Sequence, residues 1–318
     1  MNNNTGKYLA LSGGVGGAKL VLGLSHVLDK EQLLVVANTG DDFQHLGVSI
    51  SPDIDTLIYT LSDLNNKELG WGRQDESWSF MQACEELGMD TWFRLGDKDL
   101  ALHLFRTQAL SQGLTLSEVT RKLCERFDIK TRIVPMSDNS VQTFVDTTKG
   151  RLPFQEYFVK HRCMPEVTGL EFEGIENAKM SPSFEQHLND PALQAIIICP
   201  SNPFLSVQPI LSLPVVRNKL KEATQPVIVV SPIVEGQALK GPTAKIMKEL
   251  QVDCDVNGIV ELYKDIADGI VIDNKDSDHT EKIESKGIKV HTSNIVMQSL
   301  QDRVNLASEV IQFSETFY

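Results

Sequence analysis

The chain has 318 residues, 41% hydrophobic and 23% charged, a balance that fits one large α/β unit with insertions. Its net charge of −13 repels nucleic acid and anionic membranes at long range. No run approaches the roughly 20 apolar residues that a membrane helix requires.

The N-terminal MNNNTGKY lacks the charged and apolar regions of an export signal, and the five cysteines are scattered with no C-x-x-C pair. A cytoplasmic protein without a disulfide framework or zinc site is therefore expected. Tyr8 to Ser12 is an apolar run that predicts a buried strand, followed by a glycine turn and a helix from about Ala18 to Val27. Leu33 to Asn38 predicts a second buried strand, and the polar loop TGDDFQHLG follows. Helical patterns then occupy DIDTLIYTLSDL, DESWSFMQACEELG, DKDLALHLFRTQALSQG and TLSEVTRKLCERFD. Strands RIVPMSD and VQTFVDT fall in a less regular stretch. Strand–loop–helix order resumes with LQAIIICP, PVIVVSP, GIVID and IKVHTS. Runs of Val, Ile and Leu without alternation read as strands covered on both faces. The expected fold is α/β, a Rossmann-like, doubly wound, mostly parallel sheet. Residues 1–318 are expected to form a single catalytic unit, with a helical insertion at about 54–130 and a small strand-rich insertion at about 132–180.

In such a sheet, ligands bind beyond the carboxyl ends of the strands. The first loop there, Gly13-Gly14-Val15-Gly16-Gly17-Ala18-Lys19, matches neither the Walker nor the dinucleotide fingerprint. Its glycines and the following helix N-terminus suit an anion such as a phosphate, with Lys19 in support; the plainer alternative is a turn that merely packs. The loop after the second strand carries Asp41, Asp42, Asp53 and Asp55. Asp53 and Asp55 also suit a helix start after Pro52, and Asp41 lies at the spacing of a ribose-binding acid. Mg²⁺, which binds through one or two carboxylates plus substrate phosphates, accounts for the crowding of all four. WFRLGDKDLALH adds Arg94, suited to an anionic or carbonyl-bearing ligand, and His103, expected to be packed or solvated. Ser201 and Asn202, and the stretch Gly241 to Lys245, suit a phosphate or a base edge, or are ordinary turn residues.

The segments SGGVGGAKL, NTGDDF, SPDIDTLIY, RLGDKD, MSDNSVQT, PSNPFLSVQPIL and SPIVEGQALKGPTAK, in that order, resemble the 2-phospho-L-lactate transferase family of coenzyme F420 biosynthesis. The resemblance implies transfer of a phospho-acid (phospholactate or a phosphoenolpyruvate type) from a diphospho-5′-guanosine donor. The acceptor is the ribityl hydroxyl of the deazaflavin Fo, and GMP leaves. It also implies Mg²⁺, small-molecule substrates and a homodimer. Carried over by position, Asp55 and Arg94 match the deazaflavin contacts, and Asp42 becomes a candidate metal ligand. Asp42 and Asp55 are then the expected metal ligands and catalytic acids, with Asp55 orienting the hydroxyl or accepting its proton. Gly13, Gly14, Gly16, Gly17, Lys19, Ser201 and Asn202 would hold the nucleotide diphosphate. The turn Gly16-Gly17-Ala18 is richer in glycine than in some archaeal relatives, which leaves the choice of acid open. The competing expectations are a non-catalytic regulator of the same fold that binds a nucleotide sugar, a nicotinamide dehydrogenase and a structural module.

Overall fold

The computed structural model describes residues 6–67, 70–238 and 241–318. Most of the N-terminal stretch read for export, and Leu239 and Lys240 of the last motif, lie outside the described residues.

Seven strands form the main sheet: β1 (Lys7–Ser12), β2 (Leu33–Ala37), β3 (Arg132–Pro135), β4 (Leu193–Ile198), β5 (Val227–Val230), β6 (Gly269–Asp273) and β7 (Lys289–Ser293). Their order is β7-β6-β5-β4-β1-β2-β3, and every pairing is parallel. Successive side chains of each strand enter opposite cores. Leu9 and Leu11 of β1 join one apolar cluster, while Tyr8 and Ala10 join the other. Ile196 and Ile198 of β4 divide from Ala195 and Ile197 in the same way. Burial on both faces is why these strands read as unbroken apolar runs.

Helices α1 (Gly14–Val27), α2 (Pro52–Leu61), α3 (Ser79–Glu86), α4 (Asp97–Ser111) and α5 (Leu116–Arg126) fall where helical patterns were expected. Two boundaries differ. The first helix begins at Gly14 rather than near Ala18, because Gly16 and Gly17 are helical and lie against the loop after β4. Arg132–Pro135 is the edge strand of the main sheet, paired with β2, rather than part of the small insertion. The separate three-stranded antiparallel sheet comprises Gln142–Thr147, Gly150–Pro153 and Val167–Glu173. A last helix, α6 (Leu300–Glu315), packs against α1.

The order of strands reverses between β1 and β4, whose connections leave in opposite directions. That reversal opens a crevice at the strand tips. Among the described residues, no helix is long and apolar enough to cross a membrane.

Candidate functional site

A cavity of about 830 Å³ occupies the crevice. Its floor comes from both sides of the switch point, with Gly13, Gly14 and Gly16 after β1 and Pro200, Ser201 and Asn202 after β4. The two loops are closely fitted. A Cβ on Gly16 would stand 2.3 Å from the Pro200 carbonyl oxygen, and one on Gly17 would stand 2.6 Å from Ser201 Oγ. The Gly13 amide donates to Ser201 Oγ at 3.2 Å. Asn202 Oδ1 accepts from the amides of Phe204 and Leu205, capping the segment that follows, while its buried Nδ2 has no partner among the described residues. The glycines expected to cradle an anion are thus set first by backbone packing. Of them only Gly14, at φ +64°, needs the left-handed region.

The anion at the start of α1 is a protein carboxylate. Asp53, in the first turn of α2, accepts the Gly14 amide on Oδ1 at 2.5 Å. Its Oδ2 accepts from Asn38 Nδ2 at 3.0 Å, and the same amide nitrogen reaches Asp41 Oδ1 at 3.2 Å. Asp41 and Asp53 both line the cavity. Burial pushes Asp53 up to about 6. Burial also holds Asp41 well above the ordinary carboxylate range, and the neighbouring charge of Asp53 adds to it. For both carboxylates the removal from water is the larger cause of the rise.

Asp42 and Asp55 are placed elsewhere, and neither lines the cavity. Asp42 Oδ2 accepts from Ser51 Oγ at 2.7 Å, and its buried Oδ1 has no partner among the described residues. Asp55 is clamped by Arg106 of α4 through both carboxylate oxygens, with Nη1 to Oδ2 at 3.1 Å. Burial works against the Arg106 guanidinium, and Asp55 outweighs it, so the arginine stays charged. His103 is buried in the same group, with Nδ1 3.2 Å from Arg106 Nη1 and Nε2 3.3 Å from Asp99. The sequence expectation gave Asp55 direct contact with a metal or an acceptor; in the structure it pairs with Arg106 and lies outside the cavity lining. Its oxygens are committed to a buried guanidinium. Asp42, expected as a metal ligand, also lies outside the cavity lining.

The other wall is aromatic and cationic. Trp71, Trp92, Phe93, Phe154 and Phe158 line it with Arg94. Arg94 lies over the Trp78 ring at 4.7 Å, and Trp92 meets Phe93 edge to face at 5.7 Å. Lys19 also lines the cavity and donates to the Met297 carbonyl at 2.8 Å. Gly13, Gly14, Gly16, Lys19, Arg94, Ser201 and Asn202 are therefore brought together, while Gly17 is a packing residue and Asp42 and Asp55 stand apart. Sequence reasoning did not single out Asn38 or Arg106, and it weighed Asp41 and Asp53 for Mg²⁺ only as members of the acidic cluster, carrying forward Asp42 and Asp55 instead. For Asp53 the signal was available, since positions two apart on a helix face about 200° apart.

Among the described residues, no group of three or more His, Cys, Asp and Glu side chains forms a ready-made metal site. Mg²⁺ does not need one, because it commonly takes one or two carboxylates and completes its shell with phosphate oxygens and water. The pair Asp41 and Asp53, both facing the cavity, fits that requirement.

A doubly wound parallel sheet with a glycine turn, paired carboxylates and an aromatic wall at its switch point defines an α/β protein that works on a ligand in that crevice. Within that class the chain belongs to the 2-phospho-L-lactate transferase CofD family, which it matches over residues 9–311. It is 39% identical to the 2-phospho-L-lactate transferase of Methanocaldococcus jannaschii, with 95% of this chain and 96% of that protein covered. It is 36% identical to the one of Methanococcoides burtonii, covering 95% and 98%. The phosphoenolpyruvate transferase of Streptomyces griseus is 34% identical, covering 97% and 98%. The chain is accordingly an enzyme, a transferase of coenzyme F420 biosynthesis, rather than a non-catalytic regulator or a dehydrogenase. A solved structure from Bacillus halodurans, of the UPF0052 family, shares the fold, with a TM-score of 0.62 at 12% identity over 96% of this chain and 98% of that one.

Proposed function

We propose that this enzyme moves the phospho-acid of a guanosine-diphosphate-linked acid onto the ribityl hydroxyl of the deazaflavin Fo. The bond between the acid's phosphorus and the GMP oxygen breaks, a bond from the ribityl oxygen to that phosphorus forms, and the hydroxyl proton is released. Phosphoryl chemistry of this kind depends on positioning and charge more than on covalent help from the protein. The glycine turn and the Ser201–Asn202 loop are suited to the nucleotide diphosphate, since both present polar groups to one cavity. The wall of Trp71, Trp92, Phe93 and Phe158 is suited to a planar deazaflavin, with Arg94 toward its polar edge. Asp41 and Asp53 would hold Mg²⁺, which when bound draws negative charge from the phosphoryl oxygens and neutralises the departing GMP. Asp55 serves by neutralising Arg106 in the interior. The acid carried by the donor, phospholactate or a phosphoenolpyruvate type, is part of the same proposal, and so is a homodimer, which sedimentation would test.

The observation that carries this reading is the pair of cavity-facing carboxylates beside the glycine turn. The test supplies Fo, Mg²⁺ and each guanylylated acid in turn and identifies the product by mass spectrometry. Asp53→Asn is expected to lower turnover by at least about a hundredfold, the loss of a few kcal/mol of charge stabilisation. Wild-type turnover in that variant, or no Fo product from any donor, would overturn the proposal.

A further inference from the structure

Asn38 follows the last residue of β2, beside the tip of β1, and is fully buried. Its backbone amide pairs with the Ser12 carbonyl at 3.0 Å, which ties it to the tip of β1. Its side chain forms the hub of the site. Oδ1 accepts the Gly40 amide at 2.9 Å, and this fixes which end of the amide points inward. Nδ2 then faces three acceptors, Asp53 Oδ2 at 3.0 Å, Asp41 Oδ1 at 3.2 Å and the Leu205 carbonyl at 3.3 Å. An amide nitrogen has two hydrogens, so one of them is shared. Asp41 comes from the loop after β2, Asp53 from α2 and Leu205 from the segment after β4. One side chain therefore sets the relative position of two carboxylates and fastens both to the far side of the crevice.

The identity of the bridging residue matters. Two neighbouring carboxylates repel, and a lysine or arginine between them would remove the repulsion by cancelling the charge that a divalent cation needs. An asparagine supplies two N–H donors and no charge. It can hold the carboxylates in place without adding a positive charge of its own. The buried environment strengthens this, because few water molecules compete for the same oxygens.

We propose that Asn38 is a positioning residue that spaces Asp41 and Asp53 for a divalent cation and for the diphosphate that completes its shell. The inference deepens the reading of the site above and rests on it. Outer groups that orient metal ligands are commonly worth about ten- to a hundredfold in metal affinity.

The test measures Mn²⁺ binding by electron paramagnetic resonance, with GDP present, for the whole chain and three variants. Asn38→Ala removes both donors and is expected to weaken Mn²⁺ binding at least about tenfold. Asn38→Ser keeps one donor and is expected to weaken it by less. Asp53→Asn is expected to weaken it most. In the transfer assay, the Mg²⁺ concentration for half-maximal rate should rise in the Asn38 variants while kcat at saturating Mg²⁺ stays within about threefold of wild type. A merely structural loss would lower kcat in proportion to the unfolded fraction and leave the half-saturation point in place. Should Asn38→Ala fail to fold, Asn38→Ser decides by the same two readouts. Wild-type Mn²⁺ affinity in the folded Asn38 variants, with affinity lost in Asp53→Asn, overturns the role of Asn38 alone. Wild-type affinity in all three overturns the cation site itself.

Discussion

Asp53 and Asp55 share the first turn of α2 and meet different surroundings. Two residues of helix turn the side chain through about 200°, so one carboxylate enters the cavity and the other the interior. The interior partner, Arg106, lies 51 positions further along the chain. Nothing local to the motif S-P-D-I-D announces it. This is why the crowding of acids was legible in the sequence and their division of labour was not. Asp55→Asn would leave a guanidinium that is 1% exposed without its counter-charge. The expected cost is about 3–5 kcal/mol, the usual penalty for breaking one partner from a buried ion pair. Equilibrium urea denaturation would measure it. A variant with wild-type stability and lost turnover would instead return Asp55 to the chemistry.

At the scale of elements, apolar runs marked all seven strands of the main sheet, and helical periodicity marked α2 to α5 in place. The hairpin Phe43–His45 with Val48–Ile50 escaped notice because three residues are too short for alternation to register. β3 was assigned to the insertion because it opens a less regular stretch; it has four residues and ends in a proline, a pattern that an edge strand tolerates. Glycines in α1 were legible as a turn, and their second use was not. Gly23, well inside the helix, lies against α6 so closely that a Cβ would stand 2.1 Å from the Arg303 carbonyl oxygen. Helix propensity alone favours alanine there by about 1 kcal/mol. Backbone contact should win, since a carbonyl cannot rotate aside as a side chain can. Gly23→Ala is expected to destabilise by about 1–3 kcal/mol through displacement of α6, again read by denaturant titration. Stabilisation by the substitution would mean that the two helices separate without cost.

Taken as a whole molecule, the crevice joins loops that are remote in sequence, and a ligand lodged there touches both. The first side carries Gly13 to Gly16, Asp41 and Asp53, and the second carries Pro200 to Asn202. A ligand that binds only the assembled crevice stabilises the folded chain by mass action, about 2.7 kcal/mol at a hundred times its Kd. GDP with Mg²⁺ should therefore raise the thermal midpoint, and chelating the metal with EDTA should remove most of the rise. Gly16→Ala isolates the geometric requirement. Its new methyl would collide with the Pro200 carbonyl oxygen, 2.3 Å away, and force the two loops apart. Neither carboxylate would be touched. The expected protein unfolds at a somewhat lower temperature and loses most of the shift given by GDP and Mg²⁺. The full wild-type shift in Gly16→Ala would mean that the nucleotide binds outside the junction of the two loops. No shift in the wild type would argue against nucleotide binding in this crevice at all.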